Sequence, residues 1–222
     1  MPTSKKNAPK PKKSPAAPAS KSKLPKKKRL KAASRSASGE AKLLSSEVVY
    51  QGPLFRVTKD LIVEPSGTES TRDVVRHNGS VIILAIDNSK SKKDPWIVME
   101  RQYRHAAGRF LWELPAGKLD AGEEALAGAQ RELEEETGYH AKKWKPLVEY
   151  FASPGFLGES MKVFLAEGLI PGDAHPEEDE DIELRLIKLS DVLKQIEKGT
   201  IMDGKTLSSV LLYNHLRKSK KR

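Results

Sequence analysis

The chain has 222 residues, no cysteine and a formal net charge of +10, which leaves room for one ordinary domain with extensions and excludes disulfide or thiolate chemistry. Its apolar runs are much shorter than the roughly 20 residues of a membrane-spanning helix, and the start of the chain lacks the apolar core of a secretory signal. We therefore expect a cytoplasmic protein without membrane contact.

The positive charge lies at the two ends of the chain. Residues 1–39 contain eleven Lys and two Arg but no acidic residue, and residues 217–222 add five basic side chains. The 22 basic and 30 acidic residues that remain give the central segment a net charge near −8. Because the first 40 residues include only two Leu and no aromatic residue, we predict a disordered basic tail over 1–40 and a short basic tail over 217–222.

The N-terminal tail contains the basic cluster PKKKRLK, Pro25–Lys31. Such a cluster is typical of a nuclear localisation signal, if the source has a nucleus, or of a weak contact with nucleic acid or another polyanion. A solvated extension without a specific partner is the alternative, and the sequence favours it over nuclear import.

β-Strands are predicted directly after the tail. From residue 47, EVVYQGPLFRVTKDLIVEP alternates apolar and polar residues with a turn at Gly52-Pro53, and TRDVVRH follows, so 41–80 is predicted to be an N-terminal β segment. The main domain, 81–216, continues with the strands SVIILAID and PWIVMERQYR, which are joined by a polar loop. Later strands are predicted at WKPLVEYFAS, ESMKVFLAEGL and DIELRLIKL.

Three helices are predicted among these strands: Glu123–Thr137, Asp191–Lys198 and Thr206–Lys218. Gly138 is suited to the left-handed position that ends the first helix, and Ser190 is expected to be the N-cap of the second. This order of elements predicts an α/β sandwich with a mixed sheet between helical layers.

Four carboxylates crowd into RELEEETG on the first helix. At about 100° per residue, Glu132, Glu135 and Glu136 share one arc, whereas Glu134 points away from them. Each like-charged pair at this spacing destabilises a helix by roughly 0.2–0.5 kcal/mol, so some other group must offset the repulsion. Carboxylate oxygens bind hard cations such as Mg²⁺, and this ridge therefore indicates a metal site, with a solvated Glu-rich surface as the alternative.

The stretch from Gly117 to Tyr139 fits the pattern Gx5Ex7REUxEExGU, where U is a bulky apolar residue, at every fixed position. On this motif the chain resembles the Nudix hydrolases, which cleave nucleoside diphosphates linked to another moiety. The resemblance implies an α/β/α sandwich and bound Mg²⁺, or Mn²⁺. The metal ligands that the resemblance implies are Glu132, Glu135, Glu136 and the backbone carbonyl of Ala116. The resemblance also implies structural roles in the motif for Gly117, for Gly138 and for an ion pair between Glu123 and Arg131.

Segments outside the motif resemble the ADP-ribose pyrophosphatase branch of that family. VVYQGPLFRV, RDVVRHNGSV, ERQYR and LWELPAGKL lie upstream, and ASPGFLGE places Pro154 sixteen residues after Gly138. The resemblance implies hydrolysis of ADP-ribose to AMP and ribose 5-phosphate. Another nucleotide sugar such as GDP-mannose is the alternative substrate. A nucleic-acid-binding protein with a Nudix scaffold is the alternative of a different class.

Catalysis also needs a general base within reach of the attacking water. The acid-dense loop HPEEDEDIE provides Glu180 as the first candidate and Glu178 as the second, beside Glu136 of the ridge. A solvated loop without a catalytic role is the alternative.

Substrate contacts are expected on both sides of the motif. Arg104 is the candidate for clamping a phosphate, because guanidinium forms paired hydrogen bonds to phosphate oxygens, with a surface ion pair as its alternative. Glu113 and Pro154 are expected near the same pocket. The adenine contact is Phe55, Leu54 or neither of them.

The β segment of residues 41–80 is a long ribbon of alternating apolar residues. A two-stranded ribbon is only marginally stable alone in water, and members of this branch commonly dimerise by exchanging such a segment. We therefore expect a homodimer in which the segment contributes to the partner's pocket, with folding back onto its own sheet as the alternative.

Overall fold

The structure is a computed structural model that describes residues 39–176 and 181–219. The strands are β1 Lys42–Gln51, β2 Arg56–Val63, β3 Glu69–Arg76, β4 Ser80–Asp87, β5 Trp96–Arg104, β6 Arg109–Glu113, β7 Ala116–Lys118, β8 Tyr139–Phe151, β9 Ser160–Pro171 and β10 Glu183–Lys188. The helices are α1 Ala125–Thr137, α2 Leu189–Glu197 and α3 Gly204–Ser219, and His105–Ala107 forms a 3₁₀ turn. Nearly all of the predicted N-terminal tail lies outside the described residues.

The N-terminal β segment forms a three-stranded antiparallel sheet in the order β1-β2-β3. β1 begins at Lys42, earlier than predicted, since Leu43 and Leu44 are adjacent and break the alternation that identifies a strand. Every residue of β1 is exposed, which leaves its apolar side chains in contact with solvent. The main body meets this sheet where Val75 donates its N–H to the carbonyl of Phe156 at 2.8 Å.

The second sheet is mixed, as predicted. Its strands follow the order β10-β5-β4-β9-β8, with β6 paired to β5 and β7 paired to β4. β4 and β9 run parallel, whereas the other neighbours are antiparallel.

Strand β4 is apolar along almost its whole length because helices cover both of its faces. Val81 and Ile83 pack on the side of α1, together with Leu133. Ile82 and Leu84 pack on the opposite side, where α2 and α3 lie. The α/β/α sandwich predicted from the order of elements is therefore confirmed.

Two local expectations differ from the structure. Ser190 is not an N-cap but lies in the first turn of α2, where its hydroxyl donates to Asp94 at 2.8 Å, and Lys188 occupies the capping position. Asp94, which accepts the hydrogen bond from Ser190, is 96 residues away in sequence, so the local sequence pattern could not reveal this contact. Helix α3 runs from Gly204 to Ser219, close to the predicted Thr206–Lys218, so Arg217 and Lys218, which belong to both the predicted helix and the predicted tail, are helical.

None of the helices in the described ranges combines the length and the apolar composition needed to cross a membrane.

Candidate active site

A cleft of about 490 Å³ opens where β7 and α1 meet the ends of β3 and β5. Its size is in the range of small-molecule sites. It is lined by Leu54, His77, Ser80, Arg104, Ala116, Gly117, Lys118, Asp120, Arg131, Glu132, Glu135, Glu136, Glu159, Met161 and Lys205. The cleft thus brings together the three ridge glutamates, Ala116 and Arg104, which the sequence assigned to metal and phosphate.

Both ends of α1 are held by local hydrogen bonds. The Glu124 side chain caps the start by accepting the N–H of Ala127 at 2.9 Å. At the other end Gly138 has φ of 69° and donates its N–H to the Glu134 carbonyl at 2.8 Å. These caps fix where α1 begins and ends, while Ala129 and Leu133 pack into the core and so set which side of the helix the ridge occupies.

Arg131 lies among the carboxylates of the motif. Its guanidinium contacts Glu123 at 3.0 Å, Glu132 at 2.9 Å and Glu135 at 2.9 Å. The hydrogen bond from Arg131 is the largest cause of the lowered pKa of Glu123, and the same bond raises the pKa of Arg131. In this structure, therefore, Arg131 offsets the repulsion along the ridge, and the Glu123 pair ties the preceding loop to the helix.

Glu136 joins the helix to the loop on the other side of the cleft. Its carboxylate is almost fully buried and accepts the backbone N–H of Ala116 at 3.0 Å. β7 is in turn held by pairing with β4, with Ala116 opposite Ile82. The Ala116 backbone and the Glu136 carboxylate are consequently positioned by the same contact.

The donor set of the cleft fits a hard divalent cation, since it consists of carboxylate oxygens. Gly117 is part of this fit, because a Cβ at that position would overlap the carboxylate of Glu132. Within residues 39–176 and 181–219, however, no three acidic, His or Cys side chains already form a metal cage. Glu132 and Glu135 instead contact Arg131, each through one carboxylate oxygen.

Arg104 is anchored by a buried carboxylate. Its Nε and Nη2 donate to the two oxygens of Glu113 at 2.8 and 3.1 Å. Burial alone would lower the pKa of Arg104, but Glu113 outweighs it and the pKa is raised. Glu113 is only 1% exposed and does not line the cleft, so it lies behind Arg104 instead of facing a substrate.

Two ionisable residues near this pair were not anticipated from the sequence. The Lys205 ammonium contacts Glu113 and lies 3.3 Å from Asp203. Glu100, opposite Glu113 on β5, is fully buried and lies within reach of Glu136. Burial, followed by the negative charge of Glu113, raises the pKa of Glu100 to about 8, so this carboxyl is mostly protonated at neutral pH.

A further carboxylate faces the cleft from the loop between β8 and β9. Glu159 accepts a hydrogen bond from the hydroxyl of Ser80 at 2.6 Å and lies 3.7 Å from Nδ1 of His77. Pro154, on the same loop, is exposed and is not part of the cleft wall. The sequence therefore drew attention to the right loop but to a residue at its exposed end.

Of the two candidates for the adenine contact, Leu54 lines the cleft of its own chain. The ring of Phe55 packs against Tyr50 at a centroid distance of 5.7 Å. It is thus the aliphatic Leu54 that lines the cleft and not the ring of Phe55.

The candidate bases Glu178 and Glu180 lie outside the described residues. Their loop starts beside the ridge helix, because His175 donates its N–H to the Glu135 carbonyl at 2.8 Å.

Comparison with known proteins adds family models and individual relatives. The NUDIX domain model matches residues 76–208, and the model of the nucleoside diphosphate sugar hydrolase N-terminal domain matches residues 42–75. The chain is 38% identical over 173 residues to an ADP-ribose pyrophosphatase of Bacillus subtilis (strain 168), covering 77% of this chain and 91% of the relative. It is 35% identical over 184 residues to a GDP-mannose pyrophosphatase of Escherichia coli O1:K1 / APEC, covering 75% and 88%.

Among solved structures, the crystal structure of an ADP compounds hydrolase matches with a TM-score of 0.70 at 21% identity. The match covers 82% of this chain and 96% of that chain. At 21% sequence identity, this likeness shows a shared fold and nothing more.

Proposed function

Because this chain belongs to the NUDIX family, we propose that it is a Mg²⁺-dependent hydrolase that splits the pyrophosphate bond of ADP-ribose. The products are AMP and ribose 5-phosphate. The observation that carries the proposal is the single cleft shared by the three ridge carboxylates, the Ala116 loop and Arg104. The identity to an ADP-ribose pyrophosphatase over 77% of the chain supports the choice of substrate.

The reaction adds one water to the diphosphate. The water oxygen bonds to a phosphorus atom, the bond from that phosphorus to the bridging oxygen breaks, and the bridging oxygen leaves with the other phosphate. When bound, Mg²⁺ or Mn²⁺ supplies charge neutralisation of the phosphate oxygens and lowers the pKa of a water molecule. Glu132, Glu135 and Glu136 are the side chains that hold it, together with the Ala116 carbonyl.

Other residues of the chain orient the substrate and take up the proton. Arg104 binds a phosphate through its guanidinium, and Glu113 holds that guanidinium in position through two hydrogen bonds. Glu180, or Glu178 in the same loop, accepts the proton of the attacking water. Replacement of the true base by Gln lowers kcat by about 10²–10⁴-fold and leaves metal affinity nearly unchanged.

The substrate is tested on the full chain with Mg²⁺ and with Mn²⁺, using ADP-ribose, GDP-mannose, NADH and diadenosine polyphosphates. We expect the highest kcat/KM for ADP-ribose. GDP-mannose is the second candidate because a GDP-mannose pyrophosphatase is 35% identical over most of the chain. Salt-dependent nucleic-acid binding without turnover of any of these compounds would reject the enzyme and favour a scaffold.

The metal site is tested with a matched set of substitutions in α1. Glu132→Gln and Glu136→Gln are expected to lower kcat/KM at least 100-fold, because each removes a charged ligand. Glu134→Gln is the control, since that side chain belongs to the same helix but contacts His140 at 3.5 Å on the opposite side. Equal loss of activity in all three variants would contradict the assignment.

The same proposal includes a homodimer assembled through the N-terminal segment of residues 41–80. Support comes from five large apolar side chains of β1 that are 44–54% exposed in the isolated chain. Pairing across a two-fold axis would bury both copies and remove the exposed strand edge. Leu54 shows that this segment already reaches its own chain's cleft, so any contribution to the partner's cleft is additional.

A further inference from the structure

Positive charge is concentrated at the end of the mixed sheet where β4 leads into β5. The loop between these strands, residues 88–95, has the sequence NSKSKKDP and contains three exposed Lys. The last turn of α3 adds an Arg and a Lys, and the start of β8 adds one more exposed Lys. We call this surface the basic face, and its six residues are Lys90, Lys92, Lys93, Lys143, Arg217 and Lys218.

The loop of the basic face is held in place on two sides. Nη2 of Arg217 donates to the carbonyl oxygens of Lys92 and Lys93 at 2.7 and 3.0 Å. On the other side of the loop, Asp94 accepts the backbone N–H of Ser190 at 2.9 Å and its hydroxyl at 2.8 Å. The Lys side chains therefore project from a backbone that is bonded to both α2 and α3.

Strand register places Lys143 at the same end of the sheet. Lys143 lies opposite Glu167 of β9, and Glu167 lies opposite Ile86, the residue before the end of β4. The next residue, Trp144, packs on the side of α1, so alternation along the strand directs Lys143 to the side of α2 and α3. The basic face is thus built from three elements that are far apart in sequence.

The acidic residues of this region do not neutralise the basic face. They are Asp87, Asp94 and Glu167, so six cations meet three carboxylates, which leaves a net charge of +3. Asp87 accepts the backbone N–H of Ser89 at 2.9 Å. Glu167 accepts the side-chain amide of Asn88 at 2.9 Å. Among the described residues, none of the six cations forms a salt bridge with an acidic side chain.

This excess is opposite in sign to the charge of the central segment as a whole, which is near −8. From it we propose that the basic face binds the phosphate backbone of a nucleic acid, in addition to the chemistry of the cleft. Five of its six cations are Lys, a residue depleted in protein–protein interfaces, whereas interfaces with DNA are strongly positive. Lys and Arg contacts to phosphate carry no sequence information, so the binding is independent of base sequence.

The inference is independent of the proposed hydrolysis, because none of the six cations lines the cleft. The N-terminal tail also carries thirteen basic residues within 1–39, so the tail and the basic face must be separated by experiment. Variants of the full chain achieve this, since every variant keeps the tail.

The first test measures the affinity of the full chain for a labelled DNA duplex of about 20 base pairs, at salt concentrations between about 50 and 200 mM. The face variant carries Lys92→Gln, Lys93→Gln and Lys218→Gln. Arg217 is left intact because it holds the loop. We expect the slope of log affinity against log salt to fall by about 2.7, which is about 0.9 for each lost phosphate contact. The affinity at about 100 mM salt should fall about 10- to 100-fold.

The control variant carries Lys42→Gln, Lys59→Gln and Lys198→Gln. These three Lys are exposed on β1, on β2 and after α2, so the control has the same net charge as the face variant. Its salt slope should change by less than about one and its affinity by less than about threefold. Equal weakening by the two variants would show that only the overall charge matters and would overturn the proposal, as would wild-type binding that the face variant leaves unchanged.

The second test locates the contact and identifies its chemistry. Backbone hydrogen exchange with and without the duplex should slow at residues 88–95 and at the end of α3, and unchanged exchange at both places would overturn the proposal. Polyglutamate and phosphatidylserine vesicles are the alternative polyanions. If either binds as tightly as DNA at equal charge concentration and is lost in the face variant, the partner is an acidic protein or a lipid surface and not a nucleic acid.

ADP-ribose hydrolysis and the melting temperature of both variants are expected to match wild type, because the replaced side chains are exposed and lie outside the cleft. Absence of ADP-ribose hydrolysis in the wild-type chain would reject the proposed activity and leave the DNA measurements as they stand. DNA binding that is lost only in the face variant supports the basic face in either case.

Discussion

Gly117 is the position where a single side-chain atom would alter the proposed metal site. Its backbone lies so close to Glu132 that a Cβ would overlap the carboxylate of that residue. A flexible Glu can move aside at little cost in stability, but it then leaves the arc that it shares with Glu135 and Glu136. The glycine is thus needed for the position of a proposed metal ligand and not for backbone freedom.

Gly117→Ala is therefore expected to weaken metal binding without unfolding the protein. We expect Mn²⁺ affinity by calorimetry and kcat/KM to fall about 10- to 100-fold, as when a supporting contact of a ligand is lost. The melting temperature of the metal-free protein is expected to change little. Gly204→Ala is the control, because a Cβ there meets no atom within 4 Å. Unchanged Mn²⁺ affinity in Gly117→Ala would show that Glu132 binds no metal.

At the scale of elements, the end of α1 connects the glutamate ridge to the loop that leads to the candidate bases. Gly138 has a left-handed φ of 69°, and a Cβ there would come within 2.6 Å of the Gly172 carbonyl oxygen and 2.7 Å of the Ala174 nitrogen. Those contacts are to backbone, which cannot rotate away. The chain after β9 consequently packs directly on the stop of the helix.

Gly138→Ala is expected to destabilise the protein by at least about 2 kcal/mol, since strain at a left-handed residue and a backbone clash add together. Gly199→Ala is the matched control. That glycine has the same φ of 69° but meets no atom within 4 Å, so it should cost only about 1 kcal/mol. Chemical denaturation measures both values. Equal destabilisation by the two substitutions would show that the packing of the loop on Gly138 contributes nothing.

The N-terminal sheet is held together by a charged group shared among its three strands. Asp60 of β2 is almost fully buried, accepts a hydrogen bond from Ser46 of β1 at 2.6 Å and pairs with Arg76 of β3. The Ser46 hydrogen bond is the largest cause of its lowered pKa, and burial opposes it. A lowered folded-state pKa means that Asp60 stabilises the sheet above its usual pKa near 3.8 and that this stabilisation is lost as the pH falls.

Asp60→Asn is accordingly expected to lower the melting temperature at pH 7 by several degrees, and the difference from wild type should shrink as the pH falls below 3.8, the usual pKa of Asp. Loss of hydrogen bonds to a buried carboxylate costs about 1.5–3 kcal/mol. Asp73→Asn on β3 is the control, because Asp73 is exposed. Melting curves between pH 3 and pH 7 test the prediction, and a difference that stays constant with pH would contradict it.

At the scale of the whole molecule, the chain has an exposed strand, β1, whose large apolar side chains its own fold does not cover. Val48 and Val49 are both 54% exposed on β1, next to the similarly exposed Tyr50. Large exposed apolar areas on a folded chain mark sites of association. The family model that matches residues 42–75 ends one residue before β3 ends, so this sheet is a distinct unit of sequence as well as of structure.

We expect light scattering at micromolar concentration to give twice the 24.6 kDa of one chain. Val48→Glu combined with Val49→Glu should shift the protein to the monomer, because it places charges in the interface. Leu216→Glu on α3, where Leu216 is 41% exposed, should leave the dimer intact. A wild-type monomer with full ADP-ribose hydrolysis would reject the dimer.

The sequence by itself determined the family motif, the mixed α/β fold and the set of carboxylates on α1. These features depend on short-range spacing: a helix repeats every 3.6 residues, so the shared arc of Glu132, Glu135 and Glu136 follows from their numbers alone. Buried strands such as β4 are also visible as continuous apolar runs.

Only the tertiary structure decided how these carboxylates are balanced and which residues join them at the cleft. Lys205 and Glu113 are 92 residues apart, and Ser80 and Glu159 are 79 apart, so no local pattern pairs them. Their contacts arise because β4 and β9 pair in parallel and because α3 is bonded to the loop after β6. Sheet register and helix docking set which charges meet, since both depend on burial of distant apolar residues in one common core.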